Sequence, residues 1–370
     1  MPHINIKMKI GILTYHRSPN YGALWQAYAL RTFLSDQGYD VSVIDYWPDY
    51  HIRMYEAKLI SRSSLEGLSL KSKLYAIYRS LRICFLNYLR LSRTNAFSRK
   101  HMHLTKSSHV DICVYGSDQI WRKQHQDDCE SFNPVYFGNN YIDASRRISY
   151  AASMGDIEIN SKQDKGFIEA SLARFDAISV RETDLQRALS NYSNKHIEIV
   201  SDPVFLLSPK QWRNILPVKP ICKDKYIFLY NLEDDRIASE IAQRLSREYN
   251  LPIMEVRGYV GDKRNPANKT QTASPVHFLS LLHDAEYVVT SAFHGVALSL
   301  CFNKQFYYAA PDELAGRAMS LLKILKLKNR RVTEMQGFEV EIIDYMKINP
   351  LIESYRAKSR NWLISSIEHD

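Results

Sequence analysis

Four short polar segments follow directly on apolar runs and carry side chains able to do chemistry. In Thr290-Ser291-Ala292-Phe293-His294-Gly295, the β-forming run YVVT ends and the helical run VALSLCF begins. A strand that turns into a helix there leaves the first helical N–H groups without intrahelical partners, and with Ser291 and Gly295 they suit an anion such as phosphate. His294 in the same turn can carry a proton near neutral pH, and its place is poor for core packing. Arg181, in Ser179-Val180-Arg181-Glu182, can take a carboxylate or phosphate with both guanidinium arms, or it can pair with Glu182 or with Asp202 of Ser201-Asp202-Pro203. Gly116-Ser117-Asp118-Gln119, with Trp121, gathers a hydroxyl, a carboxylate, an amide and an indole fit for a polyol. Capping of the next helix by Ser117 or Asp118 is its plainer reading. Asn20-Tyr21-Gly22 brings backbone N–H groups towards an anion, or is an N-cap and tight turn. Tyr150 to Gly155, including Ser153, is small enough to admit a ligand or another backbone.

These segments need strands to end them in the right place. Lys9–Tyr15, Val41–Tyr46, Asp111–Tyr115, Arg147–Ala151, Ala177–Val180 and Ile197–Val200 read as strands, with helices over Ala23–Gly38, Gln163–Arg174 and Thr183–Asn191. The alternation predicts a mostly parallel sheet whose ligands lie beyond the carboxyl ends of the strands, where the four segments fall. After Pro203–Pro220 a second alternation begins: strands Tyr226–Tyr230, Pro252–Val256, Tyr287–Thr290 and Gln305–Ala309, helices Asp235–Tyr249, Val276–Asp284, Gly295–Phe302 and Ala315–Leu327, and a closing amphipathic stretch Ile343–Ile367. The expected fold class is α/β, two Rossmann-like domains facing a cleft, spanning 1–208 and 209–370. Gly261–Ser274, polar and Asn/Lys-rich, reads as a mobile loop.

A helical insert over about 52–106 interrupts the first half. Leu68–Arg99 reads as one or two amphipathic helices, with Leu70, Leu74, Ile77, Tyr78, Leu81, Phe85, Tyr88 and Leu89 on one side and basic residues largely on the other. Between His51 and Val110 there are twelve Lys and Arg against Glu56 and Glu66, which accounts for the net charge of +9. Such a face suits an anionic leaflet, or is solvated and packs on the core. No run approaches the twenty apolar residues of a spanning helix, and MPHINIKMKIG leads into strand one without a cleavage site, so the expected place is the cytoplasm, with peripheral contact at the inner face of the membrane. Cys84, Cys113, Cys129, Cys222 and Cys301 are widely spaced and without a CxxC pair, which argues against disulfide and zinc frameworks. Cys113 and Cys301 read as buried thiols. No metal-ligand cluster is evident, and none is expected to be required.

In order, KIGILTYHRSPNYGALWQAYAL, YGSDQIW, ISYAASMG, ISVRE, SDPVFLL and TSAFHGVALSLCFNKQF resemble the polysaccharide pyruvyl transferase family over nearly the whole chain. The resemblance implies a fold like that of GT-B glycosyltransferases and transfer from phosphoenolpyruvate onto hydroxyls of a sugar, giving a pyruvate ketal and phosphate, with no cofactor. It implies donor contacts by Arg181 and His294, and by a further basic residue matched to Arg317, with Lys304 and Lys323 as competitors. The acceptor, lipid-linked in one version of this reading, would lie against Asn20, Tyr21, Gly22, Ser117, Asp118, Gln119 and Ser153, with Asp118 as base. A nucleotide-sugar glycosyltransferase is the alternative, though no acidic ribose signature follows Val256. A scaffold without turnover sits poorly with Arg181 and His294, and no nucleic-acid module is recognisable, so no nucleic-acid partner is expected.

Overall fold

The computed structural model describes residues 7–55, 59–61, 63–126, 129–232, 235–258 and 271–368. The first half holds strands β1 (Lys9–Leu13), β2 (Asp40–Ile44), β3 (Leu104–Thr105), β4 (His109–Tyr115), β5 (Gln124–Gln126), β6 (Cys129–Ser131), β7 (Asp143–Ala152), β8 (Ala177–Val180) and β9 (Ile197–Ile199). Among them run helices α1 (Tyr21–Asp36), α2 (Asp49–Tyr55), α3 (Leu70–His101), α4 (Lys162–Leu172) and α5 (Thr183–Leu189). The second half has α6 (Pro209–Arg213), β10 (Ile227–Asn231), α7 (Arg236–Tyr249), β11 (Ile253–Arg257), α8 (Pro275–Asp284), β12 (Tyr287–Thr290), α9 (Phe293–Cys301), β13 (Gln305–Tyr308), α10 (Asp312–Ile324) and α11 (Tyr345–Glu368).

Seven strands pair in the order β3-β2-β1-β4-β7-β8-β9 and four in the order β11-β10-β12-β13, and every neighbour in both sheets is parallel. The runs are apolar because parallel sheets are covered on both faces: all five residues of β10 are buried. β5 and β6 form a separate antiparallel hairpin. One hydrophobic cluster runs through both halves, with Tyr21 stacked on Phe278 at 4.3 Å between ring centroids and Trp25 meeting Trp212 edge-on at 5.6 Å. The last helix crosses back to the first half: Ser359 Oγ accepts from Ser201 N at 2.8 Å, Tyr355 Oη donates to the Val200 carbonyl at 3.0 Å, and Arg356 Nε donates to the Phe205 carbonyl at 2.6 Å.

The α/β reading with two Rossmann-like sheets holds, and three particulars differ from the sequence expectation. The stretch expected as one or two helices over Leu68–Arg99 is a single helix, Leu70–His101, of 32 residues, and its apolar stripe faces outward. Strand β7 starts at Asp143, because parallel pairing with His109 and Val110 overrides the polar run Asp143–Arg147. Of the expected loop 261–274, residues 261–270 lie outside the described residues, while Ala273 is core and its carbonyl accepts from Tyr21 Oη at 2.8 Å. Cys113 and Cys301 are buried free thiols, which burial pushes up to about 12.

Candidate active site

The strand order of each sheet reverses direction at one place, and the two places share one set of cavities. In the first sheet the chain leaves β1 and β4 in opposite directions, so Thr14–Asn20 and Gly116–Gln119 part at a crevice. In the second sheet β10 and β12 do the same, parting Leu232 from Ser291–His294. Thr290 fastens this second turn: its Oγ1 donates to the Tyr230 carbonyl at 2.9 Å and accepts from Ala292 N at 3.0 Å. A Cβ on Gly295 would lie 2.1 Å from Thr290 Oγ1, so only glycine lets the helix start this close to the strand. Ser291 Oγ donates to Asn231 Oδ1 at 3.1 Å and accepts from Leu232 N at 2.8 Å. No side chain caps α9, and its first turn lines a cavity.

His294 stands in that first turn against Gly22 at the start of α1, where a Cβ would lie 2.2 Å from the imidazole Nδ1. On its other side Asp202 Oδ2 is 3.4 Å from His294 Nε2 and 2.5 Å from Arg181 Nη1. Arg181 Nε donates to Glu182 Oε1 at 3.0 Å, and the guanidinium lies 4.3 Å from the Phe293 ring centroid. Burial works against the Asp202 charge, yet the adjacent His294 ring, followed by the Arg181 guanidinium, holds its carboxyl well below the usual carboxylate range. Burial also opposes the Arg181 charge, and Glu182 and Asp202 outweigh it, so the guanidinium stays ionised. Arg181 Nη2 and Glu182 Oε2 have no further hydrogen-bond partner in the protein, and His294 Nε2 has only the long contact to Asp202.

Two cavities meet here. One, of about 290 Å³, is lined by Tyr230, Ser291, His294 and Arg317, with Asp156 and Gly155 opposite. The other, of about 310 Å³, is lined by Tyr15, Ser18, His51, Tyr55, Lys123 and His125. Asn20, Asp118, Gln119 and Arg122 line both, so the two are chambers of one groove. With its amide oxygen towards the guanidinium, Gln119 accepts from Arg317 Nη1 and Nη2 at 3.0 and 3.1 Å. Burial, and then Arg181, lower the Arg317 pKa. Asp118 is held at φ +70° in the left-handed region, tolerable for Asp, with its backbone bridged to Ala152.

Of the residues singled out in the sequence, Ser291, His294, Arg317, Asn20, Asp118 and Gln119 line the groove. Gly295 supports it from beneath. Others do not face it. Arg181 is buried between two carboxylates, the ion-pair alternative, and reaches the chamber through Asp202 and His294. Tyr21 is spent in the core, stacked on Phe278 and under Arg90. Gly22 takes the cap from Asn20 Oδ1 at 3.0 Å and makes room for His294. Ser117 donates to the Ala151 carbonyl at 2.9 Å and towards Asp202 Oδ2 at 3.3 Å, and Ser153 donates to Glu182 Oε1 at 2.9 Å, so both position their neighbours. Neither competitor of Arg317 lines the groove: Lys304 Nζ donates to the Ala285 carbonyl at 3.0 Å.

Arg122, Tyr15, His51 and Tyr55 were not singled out in the sequence. Arg122 follows GSDQIW directly and its place after that segment was the available signal. His51 meets Tyr15 edge-on at 4.5 Å, is buried with Nδ1 unpartnered, and burial lowers its pKa from 6.5 to about 4. Among the described residues no group of three or more His, Cys, Asp or Glu is placed to hold a metal ion, and no helix is long and apolar enough to cross a membrane.

A model of the family described as polysaccharide pyruvyl transferase matches residues 20–313. No curated relative matches the chain. Among solved structures it is similar to a UDP-N-acetylglucosamine 2-epimerase, so titled as putative, from Listeria monocytogenes (9% identity, 98% of this chain and 96% of that one, TM-score 0.46). It is also similar to the glycosyltransferase SnogD from Streptomyces nogalater (10% identity, 95% of each chain, TM-score 0.40) and to an uncharacterised protein from Klebsiella pneumoniae (14% identity, 66% and 86%, TM-score 0.39).

Proposed function

The chain belongs to the polysaccharide pyruvyl transferase family, and from that premise we propose that it transfers a pyruvate ketal from phosphoenolpyruvate onto two hydroxyls of a sugar, releasing phosphate. The observation that carries this reading is the paired chamber: a cationic one around His294, Arg317 and Arg122, and an aromatic-walled one, joined at Asp118. A small, multiply charged donor suits the first, where uncapped N–H groups of α9 and two guanidiniums offset negative charge through the transition state. A sugar suits the second, which Tyr15, His51 and Tyr55 line together with the polar side chains of Ser18, Asn20 and Gln119. The first is the donor side and the second the acceptor side.

In the proposed sequence, the imidazole of His294 gives its proton to the donor's methylene carbon, and positive charge develops at C2. An acceptor hydroxyl forms a bond to C2 while its proton passes to Asp118, the carboxylate common to both chambers. Asp118 returns that proton to the bridging oxygen as the C2–O bond to phosphate breaks, so the phosphate leaves as the dianion, and a second hydroxyl closes the ketal on C2 as its proton passes to His294 and restores the imidazolium. Asp202, ionised between His294 and Arg181, stabilises the imidazolium and fixes the ring, in the manner of a carboxylate behind a catalytic histidine. Arg181 is therefore a positioning residue, and Arg317 and Arg122 make the direct contacts with donor oxygens.

Phosphate release from phosphoenolpyruvate in the presence of candidate sugar acceptors tests the reading. Release is expected to depend on acceptor and to fall by about 10³ or more in His294→Ala with unchanged circular dichroism. Absence of phosphoenolpyruvate binding by calorimetry, or tighter binding of a nucleotide sugar, overturns it.

A further inference from the structure

Helix α3 leaves its apolar side uncovered. Only Arg90, Thr94, Phe97 and Ser98 of its 32 residues are buried. Its C-terminal part is tied down by Arg90, whose Nη1 and Nη2 donate to the Arg257 and Pro19 carbonyls at 2.9 Å each. The preceding twenty or so residues, roughly 30 Å of helix, bury no side chain. Along that length Leu70, Leu74, Ile77, Leu81, Phe85 and Tyr88 fall within an arc of about 80° at roughly 100° per residue. Each is between 39% and 74% exposed. Lys71 and Arg82 border one edge of this stripe and Lys73 the other, and the helix carries eight Lys and Arg and no Asp or Glu.

An exposed apolar stripe of this length marks a contact surface. A second copy of the chain would set one row of cations against another, whereas an anionic leaflet accepts the stripe and its cations together. At the foot of the stripe is a mainly apolar cavity of about 330 Å³ whose walls include Trp47, Ile52, Leu91 and Tyr88, the last residue of the stripe. Tyr55 lines this cavity and also the aromatic-walled chamber. Apolar surface therefore runs from the outer face of α3 to the wall of the acceptor side.

We propose that α3 is an interfacial anchor that seats its apolar stripe in an anionic lipid leaflet, with the apolar cavity beside it receiving hydrocarbon and the acceptor side held next to that surface. The docking is independent of the transfer reaction; only the presentation of a lipid-linked acceptor at the surface rests on the reading above.

Co-sedimentation of the full chain with vesicles of phosphatidylglycerol and phosphatidylcholine in equal amounts tests this, against vesicles of phosphatidylcholine alone. Binding is expected to the anionic vesicles, weakened in high salt, and reduced about tenfold or more in the double variant Leu81→Glu, Phe85→Glu. Both positions are exposed, so the variant is expected to keep its circular dichroism and its phosphate release with a water-soluble acceptor. Equal binding to both vesicle types, no binding to either, or a dimer in sedimentation equilibrium that the variant dissolves would each overturn the anchor. Failure of phosphate release alone would overturn the transfer reading and leave the vesicle result standing.

Discussion

Around His294 there is no room for a methyl group: a Cβ on Gly22 or Gly295 would come within 2.2 or 2.1 Å of a neighbouring side chain. Beyond Asp118 the walls are the ends of long side chains, Tyr15, His51, Tyr55, Arg122 and Lys123, borne on several loops and one short helix. The first chamber is shaped by backbone approach and by a closed set of ion pairs. The second is shaped by side chains that can be exchanged without moving the backbone. Geometry is thus held where backbones approach and ion pairs close, and freedom is left where side chains alone make the wall.

The sharpest way to break the comparison is Asp202→Asn. It leaves Arg181 with one carboxylate and His294 with none, and is expected to cost about 3–5 kcal/mol of stability, read from urea unfolding, together with most of kcat. An acceptor KM that rises while kcat is kept would show that the cluster belongs to the acceptor side instead. The next largest effect comes from pH. Burial holds His51 at about 4 against 6.5 outside the fold, so between those values the unfolded chain binds a proton that the folded chain refuses. Stability is expected to be full above pH 6.5 and to fall by up to about 3 kcal/mol as pH drops towards 4, with His51→Phe flattening that part of the curve. A slope unchanged in His51→Phe would assign the loss to other groups.

Gly22→Ala should cost about 1–3 kcal/mol through overpacking against the imidazole, and should lower kcat more than it raises the acceptor KM. The gentlest probe is Arg122→Ala. Its side chain is exposed where the chambers meet, so stability should change by less than about 0.5 kcal/mol while kcat/KM for phosphoenolpyruvate falls about tenfold. Equal losses of stability in Gly22→Ala and Arg122→Ala would erase the distinction between the two chambers.

The same division governed what could be read from the amino acids. TSAFHG was legible because a strand-like run, a glycine and a helical run meet within a few residues, so local periodicity alone places His294 at a strand end. Asp118 and Gln119 were legible for the same reason. Gly22 reads as a turn that brings backbone N–H groups towards an anion; that it also makes room for His294, 272 positions away, no local pattern records. His51 and Tyr55 sit on a short helix that reads as the start of a basic insert, and they become chamber walls only when α2 folds over the β1 and β4 loops. In α3 the periodicity showed two faces, but which of them meets the body depends on contacts made elsewhere in the fold.

The crossing of α11 back onto the first half has a consequence in time. Arg356 reaches a carbonyl 151 residues upstream, and Ser359 an amide 158 residues upstream, both in the segment that carries Asp202. As the chain is synthesised, the first half therefore emerges with that segment held by Val180, Arg181 and α1 but without these last two bonds, which α11 supplies only after the second half has been made. A chain released short of α11 would keep the Arg181–Asp202 pair but lose the brace that Arg356 and Ser359 place on the segment carrying Asp202.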